Sequence, residues 1–574
     1  MFVRKRWKLP DGDVSARSVA LAEELQVTNA FAGILANRGV VTKTDAMAFL
    51  KPDRSELCDP FLLPDIDPAL DRLRRAVDHK EGIFVCGDYD VDGITSIVLM
   101  KRCLESVGCR VDFYIPNRLD EGYGLSDRGV KLARDVGAGL IVTVDSGVTG
   151  HEQVSLAQEM GIDVIVTDHH EPQETLPEAL AVVDPKRKDS KYPYKDLAGV
   201  GVAFKVLEAL ARDYRELAYT VEENLDLVAV GTVADIVPLR SENRILTALG
   251  LERLRNTGNA GLAALMDVAK VEPASARAAH IGFALGPRLN AAGRLGDASI
   301  GVELLTTDDG ELAGRIAQQL DGENRKRREL ERGVLEDAER MIDEQIDLEG
   351  TRSIVLWSSG WHPGVIGIVA SRIAKQHNRP TILLSVNDGA AKGSGRSIPG
   401  FDLHAALISC RHHLDSFGGH QHAAGVSLAE ERLEVFRDCV ESAVSAKLTA
   451  DDLVAVVEID GEVRLSDCTF DLVRELKRLR PFGAGNPEPV FGTRRVKVED
   501  AKTVGNGHLR MRVSQDGRPM DVIGFGMAET YRELRSEMRD SSFMVSLAYV
   551  LEENTWRGET NLQLRLKDVQ PEEY

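Results

Sequence analysis

The stretch GIFVCGDYDVDGITSIVLMKRCLESVG, residues 82–108, decides the fold. It opens as a short apolar, β-branched run and ends with helical spacing, and between the two Asp88, Asp90 and Asp92 fall on alternate positions. Strand, acidic turn and helix in that order begin a parallel α/β unit. Three like charges this close repel one another. A solvated acidic turn is one reading of them, and a cation held among them is the other.

The same pattern repeats outward from this stretch. RVDFYIP (110–116), GLIVTVD (139–145), IDVIVTD (162–168) and ALAVVDP (179–185) are further short apolar runs, most of them separated by helical stretches such as SDRGVKLARDVG (126–137). Continuously apolar strands alternating with helices predict a parallel sheet buried on both faces, and such sheets bind ligands beyond the carboxyl ends of their strands. Asp145 ends one of these runs, Asp168, His169 and His170 end another, and Asp235 follows a helical stretch in TVADIVPL (232–239). Carboxylates and imidazoles therefore gather at one end of one sheet, a coincidence that independent solvated turns do not require. Oxygen-rich ligands with one or two imidazoles suit two divalent cations, Mn²⁺ or Mg²⁺, better than structural zinc. Two cations roughly 3.5–4 Å apart can clamp the attacking and leaving oxygens of a phosphoryl transfer. Taken singly the elements have plainer readings: a calcium loop or acidic turn, a strand end with a satisfied histidine, a helix cap.

The chain's 574 residues exceed what one core serves, so three or four domains are expected. Residues 1–75 read as a helical cap, 76–300 as the catalytic α/β domain, and 301–347 as a connecting helix. The NRKRR of that helix (324–328) reads as part of a solvated charged face in preference to a phosphate contact. Residues 348–447 form a second α/β domain, with SIVLWSSG (353–360) and PTILLSV (380–386) as strands. Residues 452–574 alternate polar and apolar and suggest an OB-like β-barrel. A formal net charge of −20 repels phosphates at long range but does not exclude a local nucleic-acid groove. The seven cysteines are odd in number and form no CxxC pair, which fits reduced thiols and a cytoplasmic protein. No apolar run is long enough to span a membrane, and the basic start lacks the apolar segment of a secretory signal.

GDYDVDGITS, VTVDSGV, VTDHHEP and VADIVPL resemble, in order, the four motifs of the DHH phosphoesterase superfamily. GSGRSIPGFDL (393–403) and FGGHQHAAGVSL (417–428) resemble the DHH-associated domain. IGFALGPRLNAAGRL (281–295), WHPGVIGIVASR (361–372) and LRPFGAGNPEPVF (479–491) narrow the resemblance to the RecJ family of single-strand-specific DNA exonucleases, over roughly residues 30–570. The resemblance implies a metal-dependent 5′→3′ exonuclease that degrades single-stranded DNA to 5′ mononucleotides in recombination and repair. It implies a monomer served by a single-strand-binding protein and a helicase. Carried over residue by residue, Asp90, Asp92, Asp145, His169 and Asp235 are metal ligands, with Asp145 bridging. Asp88 binds metal or orients its ligands, and His170 faces the scissile phosphate. Arg118, Ser394 and Arg396 pocket the 5′ phosphate, and Tyr123 stacks on a base. Arg288, Asn290 and Arg294 hold the backbone, and His420 lies close to the substrate. Two other functions share the metal motifs: a small-substrate phosphodiesterase (an oligoribonuclease or cyclic-dinucleotide hydrolase) and a non-catalytic DNA-binding scaffold. The C-terminal barrel and GPRLNAAGRL argue against the first, and the filled ligand positions against the second.

Overall fold

The computed structural model describes residues 5–10, 15–117, 121–122, 124–537 and 543–572. Arg118 and Tyr123 lie outside the described residues. The chain divides into two compact units, one of residues 51–327 and 480–487, the other of 1–50, 328–479 and 488–574. The stretch expected as a 1–75 cap is thus shared between them.

The first unit is built on five parallel strands: β1 (Gly82–Gly87), β2 (Arg110–Tyr114), β3 (Leu140–Val144), β4 (Asp163–Thr167) and β5 (Ala181–Val183), in the order β2-β1-β3-β4-β5. Alternate side chains serve two cores. Ile83, Val85, Val142 and Ile165 face helices α1 (Ile66–His79) and α2 (Val91–Ser106), while Phe84, Cys86, Ile141 and Val164 face α3 (Asp127–Asp135) and α4 (His151–Glu159). Apolar side chains on both faces of β1, β3, β4 and β5 are what made these runs apolar in sequence, while the edge strand β2 turns Arg110 and Asp112 to solvent. The first core continues through α5 (Gly199–Leu210), α6 (Leu225–Ala234) and α7 (Ser241–Leu254). A π-helical turn, Ile281–Leu285, leads into α8 (Gly286–Leu295).

Helix α9 (Gly310–Gln345) runs 36 residues, and its sequence leaves the first unit for the second between Arg327 and Arg328. Its charged stretch is not a uniformly solvated face. Asn324 and Arg327 are buried, and Arg327 Nη2 donates to Asn324 Oδ1 at 2.9 Å.

The second unit holds a five-stranded mixed sheet. Its strands are β6 (Ile354–Ser358), β7 (Thr381–Asn387), β8 (Ala390–Arg396), β9 (Ser416–His420) and β10 (Ala423–Ala429), ordered β9-β10-β8-β7-β6, with only β6 and β7 parallel. Helix α10 (Pro363–His377) crosses between β6 and β7. A five-stranded barrel closes through β11 (Phe491–Val504), β12 (His508–Gln515), β13 (Arg518–Gly524), β14 (Met544–Trp556) and β15 (Glu559–Pro571), with β14 pairing back to β11. The start of the chain joins this unit: Arg6–Lys8 pair with Val456–Glu458, and Thr28 N–H donates to Glu475 Oε1 at 3.0 Å.

Candidate metal centre

Three of the parallel strands end in the acidic and histidine residues of the sequence motifs. After β1 the chain turns through Asp88 and Tyr89. Asp90 then caps α2, its Oδ1 accepting the Asp92 N–H at 2.9 Å and the Gly93 N–H at 3.2 Å. Asp92 sits in the first turn of α2 and caps a second helix. Its Oδ2 accepts the Gly199 N–H at 2.6 Å and its Oδ1 the Val200 N–H at 2.8 Å, at the start of α5. The carboxylate thereby meets the positive end of the α5 dipole.

Asp145, directly after β3, holds a left-handed backbone with φ +56°. Gly199 packs so closely against it that a Cβ there would lie 2.6 Å from Asp145 Oδ1. After β4, Asp168 organises the two histidines. Its Oδ1 accepts the backbone N–H of His169 at 2.7 Å and lies 2.8 Å from His170 Nδ1, and its Oδ2 accepts the Val148 N–H at 2.9 Å. His169 Nε2 lies 3.1 Å from Asp145 Oδ1 and 3.7 Å from Asp235 Oδ2. Asp235 arrives on the C-cap of α6.

Seven residues therefore converge, and they form three overlapping groups: Asp88, Asp90 and Asp145; Asp92, His169 and Asp235; Asp145, His169 and His170. Within each group the ligand atoms lie within 4.8 Å of one another, a spacing that can hold a metal ion. The electrostatics calls for one. Burial first, then Asp92, Asp90, Asp235 and Asp88, pushes the Asp145 carboxyl well above its ordinary range. Asp92 is raised by burial, Asp235 and Asp90, and Asp90 by burial and Asp235. His169 is held neutral by burial, the form that ligates metal. Its ring nitrogens and Asp235 Oδ2 are buried and make no hydrogen bond among the described residues. An oxygen-rich donor set with a neutral imidazole and buried, unsatisfied ligand atoms fits Mn²⁺ or Mg²⁺. His170 differs from its neighbour. Burial opposes its charge, but the hydrogen bond and charge of Asp168 outweigh burial and raise it, favouring the imidazolium.

Of the residues expected to hold DNA, three lie on α8. This helix packs against the first motif, for a Cβ on Gly293 would lie 2.6 Å from Tyr89 O. Asn290 and Arg294 flank that contact and are half-buried. Arg288 is paired within the unit: its Nε and Nη2 reach Asp321 Oδ1 at 3.0 and 2.8 Å and its Nη1 donates to Ala284 O at 2.8 Å. In the second unit, Arg396 Nη1 donates to Ser394 Oγ at 2.8 Å on β8. Arg396 and His420 lie on one transverse row of the sheet, both registered to Ala423. Gly367 of α10 faces the same pair, and a Cβ there would lie 2.9 Å from Ser394 Oγ and 3.0 Å from Arg396 Nη2. Asp168 was expected only as a member of the cluster at the strand ends, without the orienting role its hydrogen bonds give it, and Gly367 carries no functional signal in its motif.

Residues 82–232 match the family described as the DHH family N-terminal domain, 350–446 the DHHA1 domain, and 459–568 the RecJ OB domain. The chain is 41% identical to the single-stranded-DNA-specific exonuclease RecJ of Dickeya dadantii, over 90% of this chain and 92% of that protein. Among solved structures it is similar to RecJ of Thermus thermophilus in complex with Mn²⁺, with a TM-score of 0.85, 32% identity, and coverage of 100% of this chain and 81% of that one. The Mg²⁺ complex from the same organism gives a TM-score of 0.78 at 30% identity, over 100% of this chain and 80% of that one.

Proposed function

The chain belongs to the family of the RecJ single-stranded-DNA-specific exonucleases, and we propose that it hydrolyses single-stranded DNA from the 5′ end to 5′ mononucleotides with two divalent cations, Mn²⁺ or Mg²⁺. One observation carries the reading: the overlapping carboxylate and histidine groups at the carboxyl ends of β1, β3 and β4, joined by Asp235. When bound, the cations supply Lewis acidity that activates water and offsets the charge building on the phosphoryl oxygens.

The protein's own part is to hold and orient. Asp90, Asp92, Asp145, His169 and Asp235 hold the cations. Asp145 and His169 belong to two groups each, which supports a shared role for Asp145. Asp88 joins Asp90 and Asp145 or orients them. His170, whose charged form Asp168 favours, donates to a phosphoryl oxygen. Arg288, Asn290 and Arg294 hold the DNA backbone, Arg288 from a side chain that also pairs with Asp321. Ser394, Arg396 and Arg118 take the 5′ phosphate, His420 lies beside it, and Tyr123 stacks on a base. The barrel supplies a surface for the incoming strand.

The protein acts as a monomer in the cytoplasm, in recombination and repair. A reducing compartment is supported by seven cysteines that form no disulfide. A nuclease confined to single strands depends on a helicase to open duplex and meets single-strand-binding protein on its substrate. Among the described residues, no helix is long and apolar enough to cross a membrane.

The test is a single-stranded oligonucleotide labelled at either end, incubated with Mn²⁺ beside blunt duplex and Asp145→Ala. Mononucleotides leaving the 5′ end of the single strand only, and not with the variant, are expected. Turnover of dinucleotides without cleavage of long strands would overturn the reading.

A further inference from the structure

The segment Arg480–Pro487, RPFGAGNP, packs in the first unit although the chain on both sides of it, 328–479 and 488–574, belongs to the second. It lies along the turn that follows Asp235. Leu239 N–H donates to Ala484 O at 2.7 Å, and Arg240 Nε donates to Gly485 O at 2.8 Å. Arg244 reaches back to the same segment, its Nη2 donating to Arg480 O at 2.8 Å. The segment is itself a tight turn. Gly483 and Asn486 exchange backbone hydrogen bonds of 3.0 and 3.2 Å, and the buried Asn486 donates Nδ2 to Pro481 O at 2.7 Å.

The fit leaves no room for side chains at two positions. A Cβ on Gly483 would lie 2.6 Å from Leu239 Cδ1. A Cβ on Gly485, whose φ is +67°, would lie 2.9 Å from Pro238 Cβ. From the other side, Tyr194 Oη and Asn243 Nδ2 donate to Pro238 O at 2.9 and 3.1 Å. Pro238–Arg240 is gripped from both sides, and the reason lies just upstream. Ile236, next to Asp235, holds φ +66° and is 74% exposed. A β-branched residue is strained in that region, and strain of this kind persists only where the surroundings enforce it.

We infer that residues 480–487 are a positioning element for Asp235. By fixing Pro238–Arg240 they hold the strained turn, and so keep the Asp235 carboxylate opposite His169 and Asp92. The inference rests on Asp235 being a cation ligand.

Mn²⁺ binding to the full chain without DNA, followed by electron paramagnetic resonance, tests it. Gly485→Ala is expected to weaken one of the two Mn²⁺ equivalents by about tenfold, the scale of losing support behind a ligand, and to leave the other unchanged. Activity should recover at high Mn²⁺ with little change in kcat. Gly483→Ala is expected to do the same, and trimming its obstacle in Gly483→Ala/Leu239→Ala should restore the weakened site. Asp235→Asn, as the control, should lose that same equivalent. If Asp235→Asn loses it while Gly485→Ala and Gly483→Ala both bind two equivalents normally, the positioning role is overturned and the ligand reading stands. If Asp235→Asn binds both normally, the ligand reading itself falls. If Gly485→Ala does not fold, the Gly483 pair decides: a double variant no better than the single overturns the link through Leu239.

Discussion

Asp145 combines a left-handed backbone, near-complete burial and four acidic neighbours. All three oppose folding, and the burial and acidic neighbours favour a cation. Asp145→Asn removes one buried charge while keeping its shape, so the metal-free variant should be more stable than the parent by on the order of 1 kcal/mol. Activity should fall by about a thousandfold or more. Thermal melts in chelator and an end-label assay read the two effects, and a metal-free variant less stable than the parent would contradict the argument. Asp168 works through His170 instead. Asp168→Asn should lower kcat by about 10–100-fold with KM and Mn²⁺ affinity nearly unchanged, as steady-state kinetics with a Mn²⁺ titration would reveal. At this scale the metal cluster was legible because its residue types recur at strand ends. The pairing of Arg288 with Asp321 was not, since 33 residues separate the partners and no local pattern joins them.

The elements carry the cluster by capping one another. Asp92 in α2 closes the start of α5, and Gly199 at that start makes room for Asp145. In the second unit, α10 lies against β8 only because residue 367 has no side chain. Gly367→Ala should displace Ser394 and Arg396. It should raise KM about tenfold for oligonucleotides with a 5′ phosphate, do little for those with a 5′ hydroxyl, and leave Mn²⁺ binding unchanged. Kinetics on the two substrates would separate these outcomes. The strand–helix alternation was readable because buried parallel strands are apolar throughout. The π-helical turn at 281–285 was not, because its hydrogen-bond register leaves no periodic trace in five residues. LVAVVEIDGEV (453–463) has strand composition, yet only Val456–Glu458 and Gly461–Glu462 pair, since pairing depends on which edges are within reach.

At the scale of the whole molecule, the two units draw on non-contiguous chain. Residues 1–50 and 480–487 join partners far away in sequence, and periodicity carries no information about which core a distant segment meets. The cations belong to one unit only, so chelation should lower the melting temperature of that unit and spare the other, giving two calorimetric transitions of which one responds to Mn²⁺. A uniform shift of both would contradict that division. The net charge of −20 makes the cations and local arginines the attractive part of the field toward DNA. The apparent DNA affinity should therefore weaken with salt, with a log–log slope of about −0.7 for each phosphate contact, as measured by fluorescence anisotropy across salt concentrations.

Two cations are expected among Asp88, Asp90, Asp92, Asp145, His169 and Asp235. Anomalous diffraction at the manganese edge from crystals grown with Mn²⁺ tests it most directly. Two peaks roughly 3.5–4 Å apart, both within ligand distance of Asp145, are expected. One peak alone, or two peaks away from the ends of β1, β3 and β4, would contradict the account.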